Sequence, residues 1–214
     1  MNIVVCGGGT RGRFGNDFVN MAKRDHNVLV LSHKNHNLEN GRFANFSSVE
    51  NVVDKFRELT AKIDTIDLFL YNTNMVAHPS TVDCYKAGAK ISTKLYHYGF
   101  DVHVVIPHLL SIEAMTKMNN TSRIVFMTTD CIYERDRIDY IDKVGYYGGK
   151  AYLHQLMLAL AHYNDKDVTV SSLSPYFPYN DPEKYKTQFQ HAYDYAIGHV
   201  ENINGTVHDC WLLE

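Results

Sequence analysis

The chain has 214 residues, of which 45% are hydrophobic and 21% charged, and its formal net charge is −3. That length suits one large domain with a full core, and the small negative charge gives no reason to expect a nucleic-acid partner. No apolar run approaches the roughly 18 residues of a membrane span, and the start shows no signal-peptide pattern. The scattered cysteines, Cys6, Cys84, Cys131 and Cys210, indicate free thiols in a reducing, cytoplasmic setting.

Short apolar runs alternate with amphipathic segments along the chain. The runs lack polar alternation, which is typical of strands buried on both faces of a parallel sheet. The alternation therefore predicts a doubly wound α/β fold, with a parallel sheet between two helical layers, in one domain spanning 1–214. In chain order the predicted elements are a strand at 2–6, a helix at 15–25, a strand at 27–32, a helix at 48–63 with Ser47 or Ser48 as N-cap, a strand at 66–71, a helix at 102–118, a strand at 123–128, a helix at 150–163 and a strand at 167–173.

Glycines crowd the turn between the first strand and the first helix, in VVCGGGTRGRFGNDF. Gly9, Gly12 and Gly15 follow the spacing G-x-x-G-x-x-G. Such glycines let the backbone turn tightly and bring a helix N-terminus close to a pyrophosphate. Their position after the first strand favours a dinucleotide site over a turn that binds nothing.

The segment after the second strand, LSHKNHN, contains no acidic residue. A Rossmann site for NAD usually has Asp or Glu there to bond the ribose hydroxyls. This chain has His33 and Lys34 instead, together with Arg11 in the glycine loop. Positive charge at these places fits a 2′-phosphate, so the sequence favours NADP(H) over NAD(H). The alternative is that Lys34 is an ordinary solvated loop residue.

The order of these motifs resembles the short-chain dehydrogenase/reductase family over nearly the whole chain. LFLYNTN is similar to the family's strand followed by N-N-A-G, with Asn72 as the matching residue. RIVFMTTD lies where the family carries its catalytic serine or threonine, and YYGGK supplies Tyr-x-x-x-Lys with Tyr146 and Lys150. VTVSSLSPYFPYN resembles the segment that lies against the nicotinamide, and INGTVHDCWLL resembles the last strand.

The resemblance implies hydride transfer between a nicotinamide cofactor and a carbonyl or hydroxyl group. Tyr146 would be the acid/base, because a nearby Lys150 ammonium lowers the pKa of a phenol from its usual value of about 10. Thr129 would hold the substrate oxygen. Thr128 is the alternative to Thr129, and Tyr147 is the alternative to Tyr146, although only Tyr146 has the spacing of four from Lys150.

The chain departs from the family at the asparagine of the fourth helix, which completes the family's proton relay. His103 takes its place, with Tyr96 and Asp101 as alternatives, and His103 as a packed or surface residue is the other interpretation. The resemblance implies no metal site, and it implies cofactor binding by Gly8, Gly9, Thr10, Arg11, Gly12, Phe14, Gly15, His33, Lys34, Asn45, Phe46, Asn72, Lys150, Pro175 and Tyr176.

The segment around 176–200 is short where the family builds its substrate lid, so we expect a small, open or differently closed pocket. Tyr176, Phe177 and Tyr179 either line that pocket or pack the segment. The expected partners are a small-molecule substrate and further copies of the chain, as a homodimer or homotetramer through the helices near 102–118 and 150–163. The alternative functions are a non-catalytic sensor of nicotinamide cofactors and a nucleotide-sugar epimerase or reductase.

Overall fold

The computed structural model describes residues 1–7, 14–33, 41–73, 93–128, 144–175, 181–201 and 203–209. These residues form one seven-stranded sheet in the order β3-β2-β1-β4-β5-β6-β7, in which every neighbouring pair is parallel. The strands are β1 (Asn2–Cys6), β2 (Asn27–Ser32), β3 (Gly41–Phe43), β4 (Leu68–Tyr71), β5 (Arg123–Met127), β6 (Thr169–Ser174) and β7 (Val207–Asp209). The helices are α1 (Phe14–Ala22), α2 (Val49–Thr60), α3 (Thr93–Phe100), α4 (Ile106–Met115), α5 (Val144–Tyr163) and α6 (Pro182–Ile197), and a π-helical turn (Asp101–Val105) joins α3 to α4.

The sheet lies between two hydrophobic clusters, one on each face. Along β1, Val4 and Cys6 join the cluster that includes residues of α2, α4 and α5, whereas Ile3 and Val5 join the cluster of α1 and α6. Successive side chains of a strand point to opposite faces, so a strand covered by helices on both sides is apolar throughout. The predicted doubly wound α/β fold with a parallel sheet is confirmed.

Helix α2 begins where the sequence offered two candidate caps. Ser48 is the N-cap, because its hydroxyl accepts the N–H of Asn51 at 3.3 Å. This bond satisfies one of the backbone donors that a helix start leaves without a partner. Val52, Phe56 and Leu59 belong to the buried face of the helix.

Most of the segment around 176–200, where we expected a substrate lid, is helical. Pro182–Ile197 forms α6, whose buried face packs on α1 and the sheet as part of the core. Asp181 caps this helix by accepting the N–H of Lys184 at 3.1 Å, and Gly198 ends it with φ +87. Asp before Pro and a glycine sixteen residues later were signals for a helix that the sequence analysis did not use. Residues 176–180, including Tyr176, Phe177 and Tyr179, lie outside the described part of the chain.

The helix predicted from residue 102 begins at Thr93, and a π-helical turn interrupts it. Pro107 lies near the start of α4 and has no N–H to donate, so the regular hydrogen-bond ladder cannot pass through it. Immediately before it, the N–H of Ile106 donates to the carbonyl of Asp101, five residues back. The interior proline therefore accounts for the change of helical register.

Among the described helices, none combines the length and the apolar character needed to cross a membrane.

Candidate active site

The sheet reverses its strand order between β1 and β4, and the candidate site begins at this point. The backbone N–H of Asn72, just after β4, donates to the carbonyl of Cys6 at 2.8 Å. Its side-chain amide donates to the carbonyl of Gly7 at 3.3 Å. In open α/β sheets, ligands bind in the crevice beside the carboxyl ends of the strands at such a reversal. Asn72 therefore lies where the sequence placed it, beside the start of the glycine loop.

Gly7 opens the glycine loop, and the sequence analysis missed it. Its φ is +98, and an added Cβ would lie 2.8 Å from the backbone nitrogen of Thr73. Only a glycine tolerates both the backbone conformation and the close approach of β4. The run of three glycines after β1 was the signal for it. The rest of the predicted loop, Gly8, Gly9, Thr10, Arg11 and Gly12, lies outside the described residues.

Phe14 and Gly15 form the first turn of α1. The Phe14 ring is buried, with its centroid 5.8 Å from that of Phe18 and 5.6 Å from that of Phe189. Its side chain therefore joins α1 to α6 in the core. What this turn can offer a cofactor is backbone N–H groups and the partial positive charge of a helix N-terminus.

The ends of β2 and β3 carry three more of the predicted cofactor residues. His33 is exposed, and its ring centroid lies 6.1 Å from that of Phe46, which is buried. The Asn45 side chain accepts the N–H of Ser47 at 3.1 Å, in the turn before α2. The structure therefore brings His33 and Phe46 together, while Lys34 lies outside the described residues.

Among the described residues, Lys150 is the only lysine, arginine or acidic residue that is buried. It is 2% exposed, and its Nζ donates to the carbonyl of Met127, at the end of β5, at 2.6 Å. Burial lowers the pKa of the ammonium from 10.5 to about 7. Within the described residues no carboxylate forms an ion pair with Lys150 to offset that burial. A cation held out of water in this way is a frequent feature of functional sites.

Tyr146 lies one helical turn before Lys150 on α5. The Nζ of Lys150 is 5.7 Å from the centroid of the Tyr146 ring. The neighbouring Tyr147 contacts Tyr146 edge to face, with the centroids 5.0 Å apart. The helical spacing therefore brings the predicted phenol and ammonium together beside the carboxyl end of β5.

Thr128 is hydrogen-bonded to the neighbouring strand β6. Both its N–H and its hydroxyl donate to the carbonyl of Leu173 in β6, at 2.8 and 3.1 Å. Thr128 thus ties β5 to β6, which leaves Thr129 as the candidate for the substrate oxygen. Thr129 itself lies outside the described residues.

His103 lies in the π-helical turn and is fully buried, which agrees with its interpretation as a packed residue and excludes a surface position. Its ring stands nearly perpendicular to that of Tyr146, with the centroids 5.8 Å apart. Asp101 begins the same turn and is partly exposed, and the side chain of Tyr96 lies outside the described part. Of the candidates whose side chains the structure describes, His103 lies next to Tyr146.

The two glycines of YYGGK differ in their surroundings. A Cβ added at Gly149 would lie 2.5 Å from the Cβ of His103, whereas a Cβ added at Gly148 would meet nothing within 4 Å. Gly149 therefore allows α5 to approach the π-helical turn closely. In the sequence, this motif indicated only the tyrosine and the lysine.

We expect Gly149→Ala to destabilise the protein by about 1–3 kcal/mol, because the added methyl overlaps a buried side chain. Gly148→Ala is the matched control and should stabilise the protein by about 0.5–1 kcal/mol, since alanine has a higher helix propensity than glycine and position 148 is exposed. Urea denaturation of both variants measures the difference. Equal free energies of unfolding for the two variants would contradict the close approach.

Pro175 follows β6 at the same edge of the sheet and is partly exposed. Tyr176 lies outside the described residues. The carboxyl ends of β1, β4, β5 and β6 thus place Gly7, Asn72, Met127 and Pro175 along one edge, and α5 adds Tyr146 and Lys150 beside β5.

No protein-family model and no curated protein sequence matches the chain. Solved structures match it over nearly its whole length. A short-chain dehydrogenase/reductase from Serratia marcescens has 16% sequence identity and a TM-score of 0.74, covering 97% of this chain and 94% of that chain. A short-chain dehydrogenase family protein from Francisella tularensis has 14% identity and a TM-score of 0.74, covering 97% and 96%. BdcA, solved in complex with NADPH, has 15% identity and a TM-score of 0.72, covering 97% and 91%.

At these identities the likeness shows the fold. The chain has the Rossmann-type α/β/α architecture of these short-chain dehydrogenase/reductase structures.

Proposed function

We propose that the protein is a short-chain dehydrogenase/reductase-type oxidoreductase that transfers hydride between NADP(H) and a small carbonyl or hydroxyl compound. Lys150 is the observation that carries the proposal. Lys150 is buried one helical turn from Tyr146 and has no ion-pair partner among the described residues. Its burial opposes folding, whereas its position beside β5 suits catalysis. Structures of the same fold include one solved with NADPH.

The edge of the sheet fits a dinucleotide. Gly7 leaves no room for a side chain between the ends of β1 and β4, and α1 begins a few residues later. A cofactor backbone passing over this edge would meet main-chain N–H groups and a helix N-terminus. The cofactor supplies the hydride chemistry, and the chain supplies position and charge.

In the proposed reaction Tyr146 exchanges a proton with the substrate oxygen. The charged form of Lys150, with its nitrogen 5.7 Å from the ring centroid, favours the phenolate that remains after the proton leaves. Because burial places the pKa of Lys150 at about 7, the ammonium predominates only below neutral pH, so we propose that reduction weakens as the pH rises above that value. Thr129 would hold the substrate oxygen, and His103 would border the ring of Tyr146.

The preference for NADP(H) rests on Arg11 and Lys34 and on the exposed His33 at the end of β2. We expect calorimetric titration to show NADPH binding at least about tenfold tighter than NADH, since each charge-assisted contact to the 2′-phosphate adds on the order of 1.5–3 kcal/mol. Lys34→Glu should remove most of that difference. Equal binding of the two cofactors would contradict the 2′-phosphate site, and no binding of either would contradict the proposed function.

Binding of NADPH without turnover of any carbonyl would instead support the non-catalytic sensor.

We further propose that the chain is one cofactor-binding domain that works as a homodimer or homotetramer, supported by the exposed Leu109 and Ile112 on α4 and Leu158 on α5. A monomeric mass by light scattering would contradict the oligomer. Cys6 is a buried free thiol, which supports the proposed cytoplasmic setting.

A further inference from the structure

The regular α-helical donor for the carbonyl of Val102 would be the N–H of Ile106, four residues later. In the π-helical turn, the N–H of Ile106 donates to the carbonyl of Asp101 instead. The residue five positions after Val102 is Pro107, which has no N–H. Because Val102 is buried, water cannot easily serve this carbonyl, and leaving it without a partner is unfavourable.

The hydroxyl of Tyr71 fills this place. Tyr71 ends β4, is fully buried, and donates its O–H to the carbonyl of Val102. Burial raises the pKa of Tyr71 well above its usual range, so the hydroxyl keeps its proton and remains a donor. Phenylalanine would fill the same core position but could not form this hydrogen bond, so the hydroxyl contributes a contact that packing alone does not supply.

Three successive residues at the end of β4 contact two parts of the site. Tyr71 bonds the π-helical turn, the Asn72 amide bonds the carbonyl of Gly7, and the Thr73 hydroxyl lies 3.3 Å from the sulfur of Cys6. The end of β4 therefore fixes the start of the glycine loop on one side and the π-helical turn on the other.

The π-helical turn in turn fixes α5. His103 lies against Gly149, where an added Cβ would be only 2.5 Å from the His103 Cβ, and it borders the ring of Tyr146. A shift of the turn would therefore shift the helical turn that carries Tyr146 and Lys150. Displacements of this kind, well below the size of a side chain, are large on the scale of proton and hydride transfer.

We propose that Tyr71 is a positioning residue, which holds the π-helical turn through the carbonyl of Val102 and thereby sets the place of Tyr146 relative to the cofactor. Tyr71 does not touch the reacting atoms. The proposal rests on the proposed function for its catalytic part, while the mechanical link between Tyr71, the turn and α5 stands on the contacts alone.

Tyr71→Phe tests the link, with Thr60→Val as the matched control. Thr60 is also a buried hydroxyl that donates to a carbonyl, that of Phe56 at 2.9 Å, but it lies at the end of α2 and not beside the site. Hydrogen exchange by mass spectrometry should show faster exchange in peptides covering 101–107 and 146–150 in Tyr71→Phe. Thr60→Val should leave both peptides unchanged.

The kinetic readout uses NADPH with para-nitrobenzaldehyde as the probe carbonyl. We expect Tyr71→Phe to lower kcat by about ten- to a hundredfold, while the Kd for NADPH stays within about twofold. A merely structural role would leave kcat per folded molecule unchanged. Unchanged exchange, or unchanged kcat in an active enzyme, would overturn the proposal. If the wild-type protein binds no cofactor or turns nothing over, the proposed function fails, and the exchange data still decide the mechanical link.

Pro107→Ala provides a second test, because alanine restores an N–H that can reach the carbonyl of Val102. The effect of Tyr71→Phe on exchange should be smaller in the Pro107→Ala background. If Tyr71→Phe alone does not fold, a folded double variant would support the proposal, and an unfolded double variant would overturn it. An undiminished effect of Tyr71→Phe in the double variant would also overturn it.

Discussion

Tyr146→Phe is expected to lower kcat for the carbonyl reaction by about 10²–10⁴-fold, the usual contribution of a general acid. The substitution removes only the hydroxyl. The ring contacts with His103 and Tyr147, at centroid distances of 5.8 and 5.0 Å, are available to phenylalanine as well. We therefore expect the fold and the Kd for NADPH to be preserved, with the loss confined to the chemical step.

Tyr147→Phe is the matched control for this experiment. It changes the neighbouring tyrosine of the same helical turn, which lacks the spacing of four from Lys150. Its turnover should stay within about threefold of the wild-type value, as for a substitution outside the reacting groups. A large loss in Tyr147→Phe and none in Tyr146→Phe would reverse the assignment, and full activity in both variants would remove tyrosine from the mechanism.

Lys150→Met is expected to abolish turnover and yet to stabilise the fold. Lowering the pKa of Lys150 from 10.5 to about 7 opposes folding by on the order of 4 kcal/mol at neutral pH. Methionine has a similar length and carries no charge to desolvate. The substitution also removes the 2.6 Å hydrogen bond from Nζ to the carbonyl of Met127, and leaving that carbonyl without its donor destabilises the fold by about 1–3 kcal/mol. The net gain at pH 7 should therefore be about 1–3 kcal/mol.

The gain should vary with pH in a definite direction. Between pH 7 and pH 10.5 the unfolded chain holds the Lys150 proton and the folded chain releases it, so the wild-type stability contributed by this residue rises with pH. The advantage of Lys150→Met should therefore shrink from pH 7 to pH 10. Other groups whose pKa changes on folding, including the Cys6 thiol, whose pKa burial raises to about 12, are common to both proteins and cancel in the difference.

Thermal denaturation of the two proteins at pH 7 and pH 9.5 measures this difference. A gain of 1 kcal/mol should raise the Tm by about 2–4 °C in a chain of this size. A lower stability of Lys150→Met at pH 7, or a difference that does not change with pH, would show that Lys150 is not held in a desolvated state. Wild-type turnover in Lys150→Met would remove it from the mechanism.

The strands were largely predictable from the sequence. β1 and β2 have the predicted bounds, 2–6 and 27–32, because strands covered on both faces must be apolar throughout. β3 has only three residues, and the exposed face of α6 carries polar residues such as Glu183, Lys184, Lys186 and Gln190. Because neither segment has a clear apolar period, β3 was not predicted and α6 was included in the expected lid segment.

The candidate site was predictable where residues are close in the chain. Tyr146 and Lys150 share a helical face because four residues make about one turn, so their proximity follows from spacing alone. Asn72 was placed by its position after a strand. The preference for Thr129 over Thr128 came from the resemblance of TTD to the STD of some reductases, and strand alternation added only that one of the two can reach the pocket. The bond of Thr128 to Leu173 engages the other hydroxyl.

The sequence by itself determined the layers of the fold, the edge of the sheet that carries the candidate site, and the spacing of the tyrosine–lysine pair, because these depend on local periodicity and strand order. Only the tertiary structure showed the burial of Lys150, the need for Gly149 beside His103, and the bond from Tyr71 to Val102. Each of these joins residues some thirty to fifty positions apart, or depends on how much water reaches a side chain. Such properties arise only when helices and strands pack against one another.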